Sequence, residues 1–128
     1  MLLFCQRTID FLGFQENIPS LFAKSHIVVL PSFYGEGLPK VLIEAAACGR
    51  AIITTDHPGC RDAIEENKTG VLVPIKNANK LAETILVLLQ DHSKRRNMGK
   101  LGRKRAERLF NISTIVNKHI EIYEKLTK

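Results

Sequence analysis

The chain has 128 residues, 45% of them hydrophobic and 25% charged, which makes it one ordinary globular domain and excludes a disordered chain. The longest uncharged stretch, Ser25 to Gly35, is too short to cross a bilayer as a helix. The net charge of +6 is uneven: residues 1–90 carry eight Lys/Arg against nine Asp/Glu, and residues 91–128 carry eleven against four.

In chain order, the apolar start MLLFC meets Gln6 and Arg7 at once and lacks a basic leader, so no secretory signal is expected. Four continuous, β-branched runs predict strands covered on both faces: Ile9–Phe14, Ile27–Leu30, Ala51–Thr54 and Val71–Val73. Helical segments separate them. Asn17 caps a first helix through Lys24, and Pro39–Cys48 has Pro in its first turn and Gly49 just past its end. Arg61–Asn67 is a short third helix, and Asn77 caps a long one with Leu81, Ile85, Leu88 and Leu89 on one face. Strands and helices alternating at this spacing predict an α/β fold, an open parallel sheet of about four strands. Beyond Asp91 two more helices follow. Ser93 caps a basic one that buries Met98, Leu101 and Leu109 and is loosened by Gly99 and Gly102. Ser113 caps the last, with Ile115, Val116, His119, Ile120, Tyr123 and Leu126 at helical spacing.

Cys5, Cys48 and Cys60 are odd in number and have no C-x-x-C spacing, which predicts a reducing, cytoplasmic compartment and argues against a disulfide framework or zinc site. Between Lys94 and Arg108 lie eight Lys/Arg and one Glu. This segment is either a solvated helix face or a surface for anionic lipid; without interleaved aromatics it is not read as a nucleic-acid site. His57 and Cys60 flank a Pro-Gly pair and read as a tight loop, not a catalytic pair. His26 and His119 read as structural, and His92 as exposed loop.

The junction IVVLPSFYGEGLPKVLIEAAACG carries the chemistry. A strand ends near Leu30, a loop with Gly35 and Gly37 lets backbone approach a ligand, and a helix opens at Leu38 or Pro39. Unpaired N–H groups and the positive dipole end at a helix start suit a phosphate. Pro39 has no donor, so the amides are those of Leu38, Lys40 and Val41. Glu36 and Glu44, at this site, would be repelled by phosphate and suit the hydroxyls of a sugar or ribose. Charge and spacing leave a second reading open: Glu36 as a helix-dipole partner and Glu44 as an ion pair with Lys40.

The string PSFYGEGLPKVLIEAAACGRAIITTDHPGCRDAIEENKTGVLVP resembles the C-terminal donor-binding domain of glycosyltransferase family 4, a retaining family of GT-B architecture. The family's mark is Glu, seven residues, Glu, a small-residue helix, Gly and a strand, matched here by Glu36, Glu44, AAACG and AIITTD. The resemblance implies a Rossmann-like fold that ends in two C-terminal helices. It also implies transfer of a sugar from a nucleoside diphosphate to a glycan or lipid-linked acceptor. Glu36 would contact the transferred sugar as the catalytic carboxylate, and Glu44 the ribose. The amides of Leu38, Lys40 and Val41, beside Gly37, would hold the diphosphate, and the loop after Gly13 would lie near the base. No cofactor is implied, only the nucleotide sugar as donor; no metal is expected, and no D-x-D pair is present.

Two departures bear on activity. Gly35 stands where many relatives carry Arg, and the cationic grip on the diphosphate, two strands and the acceptor domain would lie upstream of this chain. The expectation is a partial nucleotide-sugar-binding domain, a binding module that transfers no sugar alone. Its workplace would be cytoplasmic, at the inner face of a membrane, with residues 94–108 against anionic lipid. Lacking its usual neighbour, Ile27–Leu30 would take Ile9–Phe14 alongside or pair with a second copy as a dimer.

Overall fold

A computed structural model describes residues 9–35 and 37–127. The elements in chain order are α1 (Ile18–Ala23), β1 (Ile27–Leu30), α2 (Lys40–Ala47), β2 (Ala51–Thr55), α3 (Pro58–Ala63), β3 (Gly70–Val73), α4 (Ala78–Gln90), α5 (His92–Leu109) and α6 (Ile112–Thr127). Among the described residues the sheet has three strands, all parallel, in the order β1-β2-β3. Val29 lies opposite Ile53, and Ile53 opposite Val71.

Side chains alternate across each strand, so two cores form. Val28 and Ile52, joined by Leu42, Ala45, Ala46, Cys60, Ala63, Ile64 and Ala106, fill one face. Ala51, Ile53 and Val73 fill the other with Leu88 and Met98. Helices cover both faces, which is why the strands are continuous apolar runs. Helix α5 serves both cores, Met98 in one and Ala106 in the other, so it crosses from face to face.

Local signals hold at the two Asn caps and at the end of α2. Asn17 Oδ1 accepts from the Ser20 N–H at 3.2 Å, and Asn77 Oδ1 from the Lys80 N–H at 3.0 Å. Helix α2 ends in a Schellman motif: Gly49, at φ +70°, donates to Ala46 O at 2.9 Å, and Arg50 N–H donates to Ala45 O at 3.1 Å.

Several expectations are corrected. Ile9–Phe14 is not a strand; Phe11 is 96% and Phe14 90% exposed. Gly13 turns the chain at φ +65°, and the Gln15 side chain donates to Leu12 O at 2.7 Å, taking a carbonyl that a ladder would need. The third helix begins at Pro58 and ends at Ala63, because Pro suits the first helical turn. The HPGC segment is thus a helix start, and residues 65–69 close instead through Glu65 N–H to Thr69 Oγ1 at 2.9 Å. Asp91, not Ser93, caps α5, its Oδ1 accepting from Lys94 N–H at 3.0 Å. Asn111 Oδ1, not Ser113, accepts at the head of α6, from the Ser113 N–H at 2.8 Å. In α5 Met98 is buried, while Leu101 and Leu109 are exposed. Leu89 of α4 is likewise exposed. Helix α6 buries none of its residues in this structure, and its His119 is exposed, as is His26 at the head of β1. His92 is exposed as expected but opens α5 and is not loop.

Candidate functional site

The site begins where β1 ends. Two buried threonines at the end of β2 hold that exit: Thr54 Oγ1 donates to Leu30 O at 2.8 Å, and Thr55 Oγ1 donates to Ser32 O. Both hydroxyls lie at the carboxyl end of the sheet, the end at which open parallel sheets bind ligands. The chain then runs exposed through Phe33 and Tyr34, whose rings stack at 4.4 Å between centroids, to Gly35 and Gly37. A Cβ added at either glycine would meet nothing within 4 Å, so the loop surface is open.

Pro39 is buried and caps α2 with extended backbone, φ −67° and ψ 122°. Leu42, fully buried, anchors the helix to the sheet, and its N–H closes on Pro39 O at 3.2 Å. The N–H groups of Lys40 and Val41 precede that first bond and are free of the helix ladder. Leu38 is exposed one residue before the cap. Leu38 just before the cap and Lys40 and Val41 just after it therefore border the open start of α2.

Glu44 lies one turn further along α2, its side chain 36% exposed, with Oε1 3.9 Å from Lys40 Nζ. The ion-pair reading of the sequence is thus realised, but Lys40 is 90% exposed. Exposed i,i+4 pairs contribute about 0.3–0.5 kcal/mol, whereas a hydrogen bond to a charged group contributes about 1.5–3. Glu36 lies outside the described residues. Gly13 sits in exposed, irregular chain before α1, with nothing within 4 Å of an added Cβ.

Sequence reasoning missed Thr54 and Thr55, which read only as strand residues. It also missed Lys76, whose Nζ sits 5.0 Å from the Phe33 ring centroid. Lys76 lines a cavity of about 320 Å³ with Pro31, Phe33, Thr55 and Pro74, at the carboxyl ends of the strands. Lys76 thus places a cation beside Phe33, from a segment remote in sequence. Among the described residues no group of three or more His, Cys, Asp or Glu could hold a metal ion.

The family model for "Glycosyl transferases group 1" matches residues 3–105. The chain belongs to that family. It is 35% identical over 120 residues to the N,N'-diacetylbacillosaminyl-diphospho-undecaprenol alpha-1,3-N-acetylgalactosaminyltransferase of Campylobacter jejuni, covering 94% of this chain and 31% of that protein. Among solved structures it resembles Anabaena HepE in complex with UDP, with a TM-score of 0.91 at 25% identity over 97% of this chain and 34% of that one. Sucrose-phosphate synthase from Thermosynechococcus elongatus matches with a TM-score of 0.79 at 36% identity, over 84% of this chain and 27% of that one. The fold is accordingly the Rossmann-like one of GT-B glycosyltransferases, with three described strands in place of about four. The chain spans less than a third of the length of the first curated relatives it matches.

Proposed function

We propose that this group 1 chain is the donor-binding part of a retaining glycosyltransferase that moves a sugar from a nucleoside diphosphate to a glycan or lipid-linked acceptor. One observation carries the reading: the free amides of α2 open beside a glycine loop, with Glu44 one turn in, on a fold that HepE uses in a complex with UDP. The diphosphate lies against the amides of Leu38, Lys40 and Val41, flanked by Gly37. Glu44 accepts hydrogen bonds from the ribose. Glu36 takes the hydroxyls of the transferred sugar as the catalytic carboxylate, and the chain after Gly13 borders the base. Charge that develops on the leaving diphosphate is stabilised by these oriented N–H groups and by nearby cations, Lys76 among them. No metal is assigned to this step.

The 128 residues by themselves bind donor without transferring it. Calorimetry against a panel of nucleoside diphosphates, with a transfer assay on the same sample, tests both halves. Binding without turnover is the expected result. Failure to bind any of them removes the donor site, and measurable transfer removes the claim of inactivity.

No described helix is long and apolar enough to cross a membrane. The relative from Campylobacter jejuni is named for a diphospho-undecaprenol substrate, which supports a workplace at the cytoplasmic face of a membrane, with residues 94–108 towards anionic lipid. Pairing of β1 edges between two copies belongs to the same reading, since β1 has a single described partner. Light scattering of the purified chain checks it, and a monomer at all concentrations rejects it.

A further inference from the structure

The end of the sheet opposite the donor loop also has a cleft. It has a volume of about 620 Å³ and lies between the residues that enter β1 and β2 and one face of α5. Gly49 and Gly99, packed backbone to backbone, are among its lining residues. Its cations fall into two sets.

Arg50, Arg95 and Arg103 have structural work. Arg50 donates to Ser25 O at 3.0 Å and Cys48 O at 3.2 Å, and Arg95 to Leu88 O at 2.7 Å and Leu89 O at 2.5 Å. Arg103 donates to Ala47 O at 2.5 Å and holds Glu107 at 2.7 Å. They satisfy carbonyls at the ends of α2 and α4. Glu107 is the one carboxylate among the lining residues, and it is already paired.

Arg96, Lys100 and Lys104 have no such work. They stand at i, i+4 and i+8 on one face of α5, exposed, and make no side-chain hydrogen bond or ion pair with any described residue. Like charges four apart on a helix repel, so the fold carries this row against its own electrostatics. An anion bridging the row removes that repulsion. Arg offers a planar fork and Lys a compact point charge, the combination that grips phosphate oxygens. We infer that the cleft binds a phosphate-bearing anion through Arg96, Lys100 and Lys104. This site uses the amino end of the strands and is separate from the donor loop.

The probe is inorganic pyrophosphate, added at low salt to the ¹⁵N-labelled chain and followed by amide chemical shifts. Saturable shifts are expected at Gly49, Arg50 and residues 96–104. R96Q/K100Q/K104Q weakens that binding by about tenfold or more, while K94Q/K118Q/K125Q, which removes the same charge elsewhere, leaves it intact. Shifts at Val41 and Leu42 report the donor loop separately, so failure at one end does not hide the result at the other. Vesicles containing phosphatidylglycerol identify the source. Sedimentation that pyrophosphate reverses makes the phosphate a lipid headgroup's, and pyrophosphate binding without sedimentation makes it a soluble ligand's; both uphold the site. No shift around the cleft, or equal loss in both variants, overturns it.

Discussion

Gly99→Ala lowers the melting temperature of the chain by about 12 °C, whereas Gly102→Ala, three residues along the same helix, leaves it unchanged or raises it. A Cβ at position 99 would stand 2.1 Å from Gly49 O and 2.9 Å from Gly49 C. These are backbone atoms of the Schellman turn that ends α2 and starts β2, so no side-chain rotation can relieve the overlap. Helix α5 would have to withdraw from the place where it crosses between the two cores, loosening Met98 on one side and Ala106 on the other. Overpacking of this kind costs about 1–3 kcal/mol, and backbone contact on both sides puts it at the upper end. At about 4 °C per kcal/mol for a domain of this size, the shift follows. At Gly102 an added Cβ meets Thr69 Cβ at 3.8 Å and Ala46 at 3.9 Å, ordinary contact distances. Removing a helix-interior glycine there gains up to about 1 kcal/mol. Thermal melts of the two variants read the contrast, and equal shifts would mean that the crossing is not where the stability lies.

On the proposed donor site, Glu44→Ala in a longer, sugar-transferring protein that includes this domain weakens nucleoside diphosphate binding by about 2–4 kcal/mol, roughly 30- to 800-fold in Kd. The magnitude comes from the two proposed ribose hydrogen bonds to a charged acceptor at about 1.5–3 kcal/mol each, less what water returns. Stability should barely move, because the one side-chain partner Glu44 leaves among the described residues is Lys40, 3.9 Å away and 90% exposed. Glu36→Ala is expected to do the opposite, lowering turnover more than nucleotide affinity, since its proposed contacts are with the transferred sugar. Calorimetry with the nucleoside diphosphate, beside steady-state kinetics, separates the two carboxylates. An unchanged affinity on Glu44→Ala would remove the ribose role and leave only the surface pair.

The sequence alone determined the alternation of strand and helix, the start and stop of α2, the Asn caps of α1 and α4, and the motif from Pro31 to Gly49. These features are local. A cap needs a residue two or three positions away, and a buried parallel strand announces itself by its own β-branched run. The same locality misled at Ile9–Phe14, which has strand composition but no neighbour among the described strands, and whose Gly13 and Leu12 carbonyl are committed to a local turn. It misled again at Gly99, which reads as a weak point in a helix until the fold brings the Gly49 backbone against it.

Only the tertiary structure decided how the loop after β1 is held. Thr54 and Thr55 lie over twenty residues from the carbonyls they bind, Leu30 and Ser32, and no periodicity links them. The same is true of Lys76 over Phe33, and of the sorting of the basic segment into arginines that satisfy helix ends and a row of cations left unpaired. Hydrogen-bond partners distant in the chain are set by how the parallel strands register and where the crossing helices land. That information is in the packing of the whole domain and not in any window of its sequence.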